Sequence, residues 1–130
     1  MTSYTLSRTI EKPYAETVEA VREALEVQGF GVLTEIDLAA KLQEKIGATV
    51  APQVILGACR PELAYEAIQV DPSIAAVLPC NVVVRSLDEH TTVVEAFDPD
   101  AMMGLAGGEA LESVAADART RLTAMLDALG

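Results

Sequence analysis

Val54-Ile55-Leu56-Gly57-Ala58 constrains the fold more than any other stretch of the chain, because it is apolar on both faces of an extended backbone. A run of that kind reads as a strand covered on both sides, and so as a central strand of a sheet. It opens a longer segment, Gly57 to Val84, which carries both cysteines of the protein. Cys59 ends the run, and Pro61 then opens a helix at its first position, where the missing N–H of proline costs nothing. Leu63, Ala64, Ala67 and Ile68 give that helix a narrow apolar stripe, Asp71-Pro72 ends it, and Pro79-Cys80-Asn81 leads into a strand through Val82-Val83-Val84.

The remaining elements follow from periodicity. Residues Tyr4 to Ile10 alternate as an edge or near-edge strand. After Glu11-Lys12-Pro13, the residues Tyr14, Val18, Val21 and Leu25 recur on one helical face, and Gly29 closes that helix as a left-handed cap. A second strand covers Phe30 to Asp37, with Phe30, Val32 and Ile36 expected on one pleat and Leu33, Glu35 and Asp37 on the other. Asp37 also precedes Leu38, Ala39, Leu42 and Ile46, where its carboxylate can cap a short helix.

Leu87-Asp88-Glu89-His90 reads as a hairpin turn into a fifth strand, Thr92 to Phe97, which Asp98-Pro99 breaks. Met102 to Gly108 reads as a flexible apolar connector. The longest helical stripe is Leu111, Val114, Ala115, Ala118, Leu122, Met125 and Leu129.

The order is therefore β-α-β-(short α)-β-(short α)-β-β-α, with nothing to divide residues 1–130 into two domains. It predicts a two-layer α+β fold, a mostly antiparallel five-stranded sheet with two long helices on one face. Apolar residues on the second face then need cover, for which a homodimer is the expected partner.

Charge and composition narrow the partners. Nine basic against 20 acidic residues leave a net charge of −11, which repels a phosphate backbone, so nucleic acid and anionic membrane are not expected partners. No window reaches the roughly 18 apolar residues of a membrane span and the start lacks a leader pattern, so a cytoplasmic location is expected. In that reducing compartment the two cysteines are expected as free thiols.

Several residues invite chemistry. Cys59 lies just before the proline-started helix and beside Arg60, so the helix N-terminus and the guanidinium both favour its thiolate. Cys80 follows 21 residues later; the thiols approach if their strands are antiparallel neighbours and sit at opposite ends if the strands are parallel. The plain alternative is that both are small buried hydrophobes. Glu35 and Asp37 stand at i and i+2 on one strand, the spacing that lets two carboxylates share a site. A metal centre is not expected, because the single histidine, His90, lies ten residues beyond Cys80 and thus more than ~20 Å from it along a strand. No phosphate-binding loop or Ser-His-Asp grouping is present, and no cofactor is expected.

GFGVLTEID (29–37), KIG (45–47), ILGACRPELAYEAI (55–68), LPCNVVV (78–84) and FDPDAMMGLAG (97–107) resemble, in order and spacing, the family catalogued as domain of unknown function 302. The likeness spans nearly the whole chain. Arg60 departs from it, standing where the family pattern has Asn, which removes a natural helix N-cap. The resemblance implies a β-α-β4-α fold similar to the TATA-binding-protein-like or helix-grip group, a homodimer, and antiparallel neighbours for the two cysteine-bearing strands. It implies no activity.

Three readings follow. The first is a homodimeric binding domain with a small-molecule groove near Cys59 and Cys80, where Glu35, Asp37, Arg60 and Asn81 are candidate binding residues. The second is a thiol-dependent redox protein or enzyme using the cysteine pair. The third is a structural dimer whose cysteines are core.

Overall fold

The computed structural model describes residues 4–106 and 109–130, with side chains described through Met102 and again from Glu109. The strands are β1 (Thr5–Ile10), β2 (Gly31–Asp37), β3 (Gln53–Cys59), β4 (Cys80–Asp88) and β5 (Thr91–Phe97). They form one open sheet in the order β1-β5-β4-β3-β2, and each pairing is antiparallel. The helices are α1 (Tyr14–Val27), α2 (Leu38–Ile46), α3 (Pro61–Val70), α4 (Pro99–Ala106) and α5 (Glu112–Asp127), with a 3-10 helix over Pro72–Val77 after α3. The predicted α+β class and five-stranded sheet are observed. Among the described residues no helix is long and apolar enough to cross a membrane.

The central strand explains the layering. The pleat of β3 sends Val54, Leu56 and Ala58 to one side, opposite Val84, Val82 and Cys80 of β4. On that side Val21 and Leu25 of α1 and Leu122, Met125 and Leu126 of α5 close over them to form the main core. Full burial of a side chain such as Leu122 stabilises by roughly 2–3 kcal/mol.

Polar side chains on this helix side find hydrogen-bond partners. Thr17 is fully buried and donates its hydroxyl to the Pro13 carbonyl at 2.9 Å. Arg8 of β1 donates to the Leu126 carbonyl at 2.6 Å, in addition to the bond that carbonyl accepts from the Leu129 amide at 3.2 Å, and sets a cation at the C-terminal end of α5. A second cluster is built from Leu63 and Ala67 of α3, Ile74, Met102 of α4, and Leu111, Val114 and Ala118.

The pleat assigned to the second strand needs correction. A β-bulge falls between Val32, which pairs with Ala58, and Thr34, which pairs with Gly57. The extra residue, Leu33, shifts the period-two alternation by one, so every side chain after it changes face. Glu35 and Asp37 consequently stand opposite Leu56 and Val54 on the helix side, and Ile36 stands opposite Ile55 on the other.

The expected connector over Met102 to Gly108 is corrected as well: α4 runs from Pro99 to Ala106. Asp98 accepts from the Asp100 amide at 2.9 Å, Pro99 starts the helix as Pro61 starts α3, and burial of Met102 offsets the ~1 kcal/mol that Gly104 costs within a helix. Gly107 and Gly108 lie outside the described residues.

Candidate functional site

The second cluster surrounds a small apolar cavity of about 30 Å³, room for little more than a water-sized group. Phe30 at the start of β2, Cys59 and Arg60 at the end of β3, Leu63 of α3, Cys80 of β4 and Met102 of α4 all contribute to its wall. The short segment from Cys59 to Leu63 thus brings a strand end and a helix start to one place, as its Cys-Arg-Pro sequence dictates.

The cysteines lie on adjacent antiparallel strands, but they are not opposite each other. Cys80 pairs with Ala58, while Cys59 pairs with Gly31 on the other flank of β3. Cys80 thus follows Ala58 toward the helices, while Cys59, one residue further along β3, borders the same cavity from the strand end. A disulfide requires Cβ vectors that converge, and both thiols are free.

Burial also opposes the expected thiolate at Cys59. Desolvation, followed by the charge of Glu62, raises its pKa, and Arg60 turns its Nη1 to Glu62 at 3.5 Å. Burial pushes the Cys80 thiol further, from the ordinary value of 9.0 up to about 11, with a smaller contribution from Cys59.

The shift at Cys80 has a measurable consequence. The unfolded chain loses this proton at lower pH than the folded one, so the stability tied to the neutral thiol is fully present below pH 9 and is lost between pH 9 and about 11. The loss amounts to roughly 2–3 kcal/mol across that window. In denaturant titrations at pH 8 and pH 11, Cys80→Ala is expected to show a smaller alkaline decrease than the wild-type protein. Equal decreases would show that Cys80 is not the group responsible.

Arg60 is the remaining polar member of the cavity wall. It occupies the N-cap of α3 without a side-chain capping bond, consistent with the loss of the Asn of the family pattern. Its stem packs on the turn at Gly29, where φ is +85° and an added Cβ would come within 3.1 Å of Arg60 Nε. That Nε is buried and has no hydrogen-bond acceptor among the described residues.

The other candidate residues do not join this site. Glu35 pairs with Arg22 of α1, and Asp37 caps α2 by accepting from the Ala40 amide at 2.9 Å, as its position predicts. Both line an open groove between α1 and the β2 edge, where burial and then the charge of Asp37 raise the Tyr14 pKa. Asn81 stands opposite Gly57 on the sheet face away from the helices. His90 is exposed in the hairpin turn.

Periodicity offers Phe30 only as a strand residue and Met102 only as part of a connector, although both reach the cavity; it is the helix over residues 99–106 that carries Met102 there. Sequence reasoning also missed a polar cluster on the far face. There Arg85 pairs with Glu95 across β4 and β5, and Thr5 donates to Glu95 at 2.9 Å. The bond from Arg85 holds the Glu95 carboxyl below the usual carboxylate range.

A family model described as "Domain of unknown function DUF302" matches residues 6–129. The chain is also similar to a solved protein, titled the crystal structure of an uncharacterized conserved protein DUF302 from Bacillus stearothermophilus. The two share 32% sequence identity with a TM-score of 0.90, over 99% of this chain and 100% of that one. No curated protein matches.

Proposed function

Since the chain belongs to the DUF302 family, whose description carries no activity, we propose from the site itself that this is a binding domain. It takes a small molecule at the cavity walled by Arg60, Cys59 and Cys80. The observation that carries this reading is the buried Arg60 Nε without an acceptor, at the wall of an otherwise apolar cavity. A buried unsatisfied donor costs roughly 1–3 kcal/mol, which a ligand oxygen would recover. The cavity admits only a few atoms, so a carbonyl or carboxylate tip fits the reading, with the rest of the molecule toward solvent.

In this view the fold is of the TATA-binding-protein-like or helix-grip kind, in which the space between a curved sheet and its long helix is a natural ligand position. The free thiols suit a cytoplasmic setting. A thiol-dependent reaction is the less favoured reading, because both thiols are held toward their neutral forms.

Native mass spectrometry of protein from its own host, with thermal shift measurements against small carboxylates and amides, tests the proposal. A ligand at a hundred times its Kd adds about 2.7 kcal/mol and raises Tm by several degrees. Arg60→Met keeps the stem and removes the donor, so it is expected to abolish that shift while folding normally. No retained mass together with no shift, or a shift unchanged in Arg60→Met, would overturn the reading.

A further inference from the structure

Three sulfur atoms border the cavity of the second cluster. Cys59 ends β3, Cys80 begins β4 and Met102 lies on α4, and all three belong to the wall of the same space of about 30 Å³. The strand register brings the thiols there. Cys80 pairs with Ala58, the neighbour of Cys59, so at ~4.8 Å between strands and ~3.4 Å per residue the two Cα atoms stand roughly 6 Å apart. The charge of Cys59 reaches Cys80, yet the two are not bonded to each other. Met102, 5% exposed, adds a thioether from a third element.

The donors indicate the ligand. Thiolate and thioether sulfur are soft and select Cu(I), whereas Mg²⁺ and Ca²⁺ seek oxygen. Zn²⁺ shares the taste for thiolate but takes four ligands in a structural site, and among the described residues no three His, Cys, Asp or Glu side chains gather to supply them. An apolar wall also demands that the occupied site carry little net charge. Cu(I) meets that demand here. With two thiolates it forms a monoanion, and the Arg60 guanidinium in the same wall supplies one positive charge and a buried Nε without an acceptor. The Nη1 of Arg60 turns outward to Glu62, whose charge is exposed and screened by solvent.

We propose that this cavity is a Cu(I) site, with Cys59 and Cys80 as thiolate ligands, Met102 as a weaker third ligand and Arg60 as the balancing cation. On binding, each thiol releases its proton to water as its Cu–S bond forms; copper enters and stays as Cu(I), and no electron is transferred. The sulfurs carry this proposal independently of the carboxylate reading, and a space of this size holds one occupant or the other.

Anaerobic titration of the reduced protein with Cu(I), in competition with a chromogenic Cu(I) chelator, tests it. One Cu(I) per chain is expected, with X-ray absorption showing a sulfur-only first shell at ~2.3 Å. Cu(I) in excess should raise Tm by several degrees, because the folded chain holds the sulfurs together and the unfolded chain does not. Cys80→Ser and Cys59→Ser are each expected to weaken binding by at least ~100-fold, and Met102→Leu by ~10-fold as a weak ligand. Met125→Leu, in the other core cluster, should leave binding unchanged. Should the cysteine variants fail to fold, alkylation of wild-type protein decides the matter, since bound Cu(I) should protect both thiols from iodoacetamide. Oxygen or nitrogen ligands in the first shell, a Tm unchanged or lowered by Cu(I), or both thiols alkylated as fast with the metal as without it would overturn the proposal. So would undiminished binding in a folded Cys80→Ser or Cys59→Ser. A carboxylate shift that persists where Cu(I) fails to bind would sink this proposal and leave the Arg60 reading standing.

Discussion

Leu56→Ala is expected to remove about 3–5 kcal/mol of stability, a large fraction of the roughly 5–15 kcal/mol a single domain possesses. Leu56 is fully buried on the central strand, between Val82 of β4 and Glu35 of β2, and belongs to the main core. Truncation loses the transfer free energy of the missing carbons and leaves a cavity, because the flanking strands are fixed in register and the helices above cannot settle into one strand position. Denaturant titration should show a large fall in the midpoint with an unchanged slope. Leu33→Ala is the companion measurement. Leu33 is the bulge residue and 64% exposed, so its loss should cost under ~0.5 kcal/mol. Comparable losses at the two positions would contradict both the layering and the bulge.

Gly57→Ala is expected to cost about 2–3 kcal/mol for the opposite reason, one carbon too many. Gly57 adjoins Leu56 but faces the other side of β3, where a Cβ would fall onto Thr34 Oγ1 and within 2.9 Å of Pro79 Cγ. The Thr34 hydroxyl can rotate away because Thr34 is exposed, whereas the Pro79 ring is tied to its own backbone. Thr34→Ala in the Gly57→Ala background should therefore recover part of the loss and not all of it. A thermal midpoint within a degree or two of wild type would show that Pro79 yields easily, contrary to this account.

These neighbouring positions show how far the sequence was legible. The run Val54 to Ala58 identified β3 as a central strand, because an apolar residue at every position has no solvated pleat. The stripe from Leu111 to Leu129 identified α5 and every buried position in it except Leu126, since a period of 3.6 over many residues admits one reading. Asp37 announced its cap for a similarly local reason: the carboxylate accepts from an amide three residues on.

The candidate site was less legible. Glu35 and Asp37 share a face as their spacing required, yet the bulge at Leu33 chose which face, and a bulge is decided by how two strands fit and not by either strand alone. The helix α4 is not legible in the sequence because the glycines near it weigh against helix locally, while the burial of Met102 that favours it is tertiary. Arg60 was singled out for its charge beside Cys59, but its unpartnered Nε follows from Gly29, a turn far away in the chain that lets the stem lie close.

By itself, then, the sequence determined the five strands, the helices α1, α2, α3 and α5, their order, and the adjacency of a thiol to a helix start. Each of these depends on residues within a turn or a strand of one another. The tertiary structure alone decided that Cys80 stands opposite Ala58 and not opposite Cys59, that burial holds both thiols toward their neutral forms, and that the Met102 thioether of α4 borders the same cavity as both thiols. Those outcomes depend on strand register and desolvation, which are properties of segments packed together, and no local spacing encodes them.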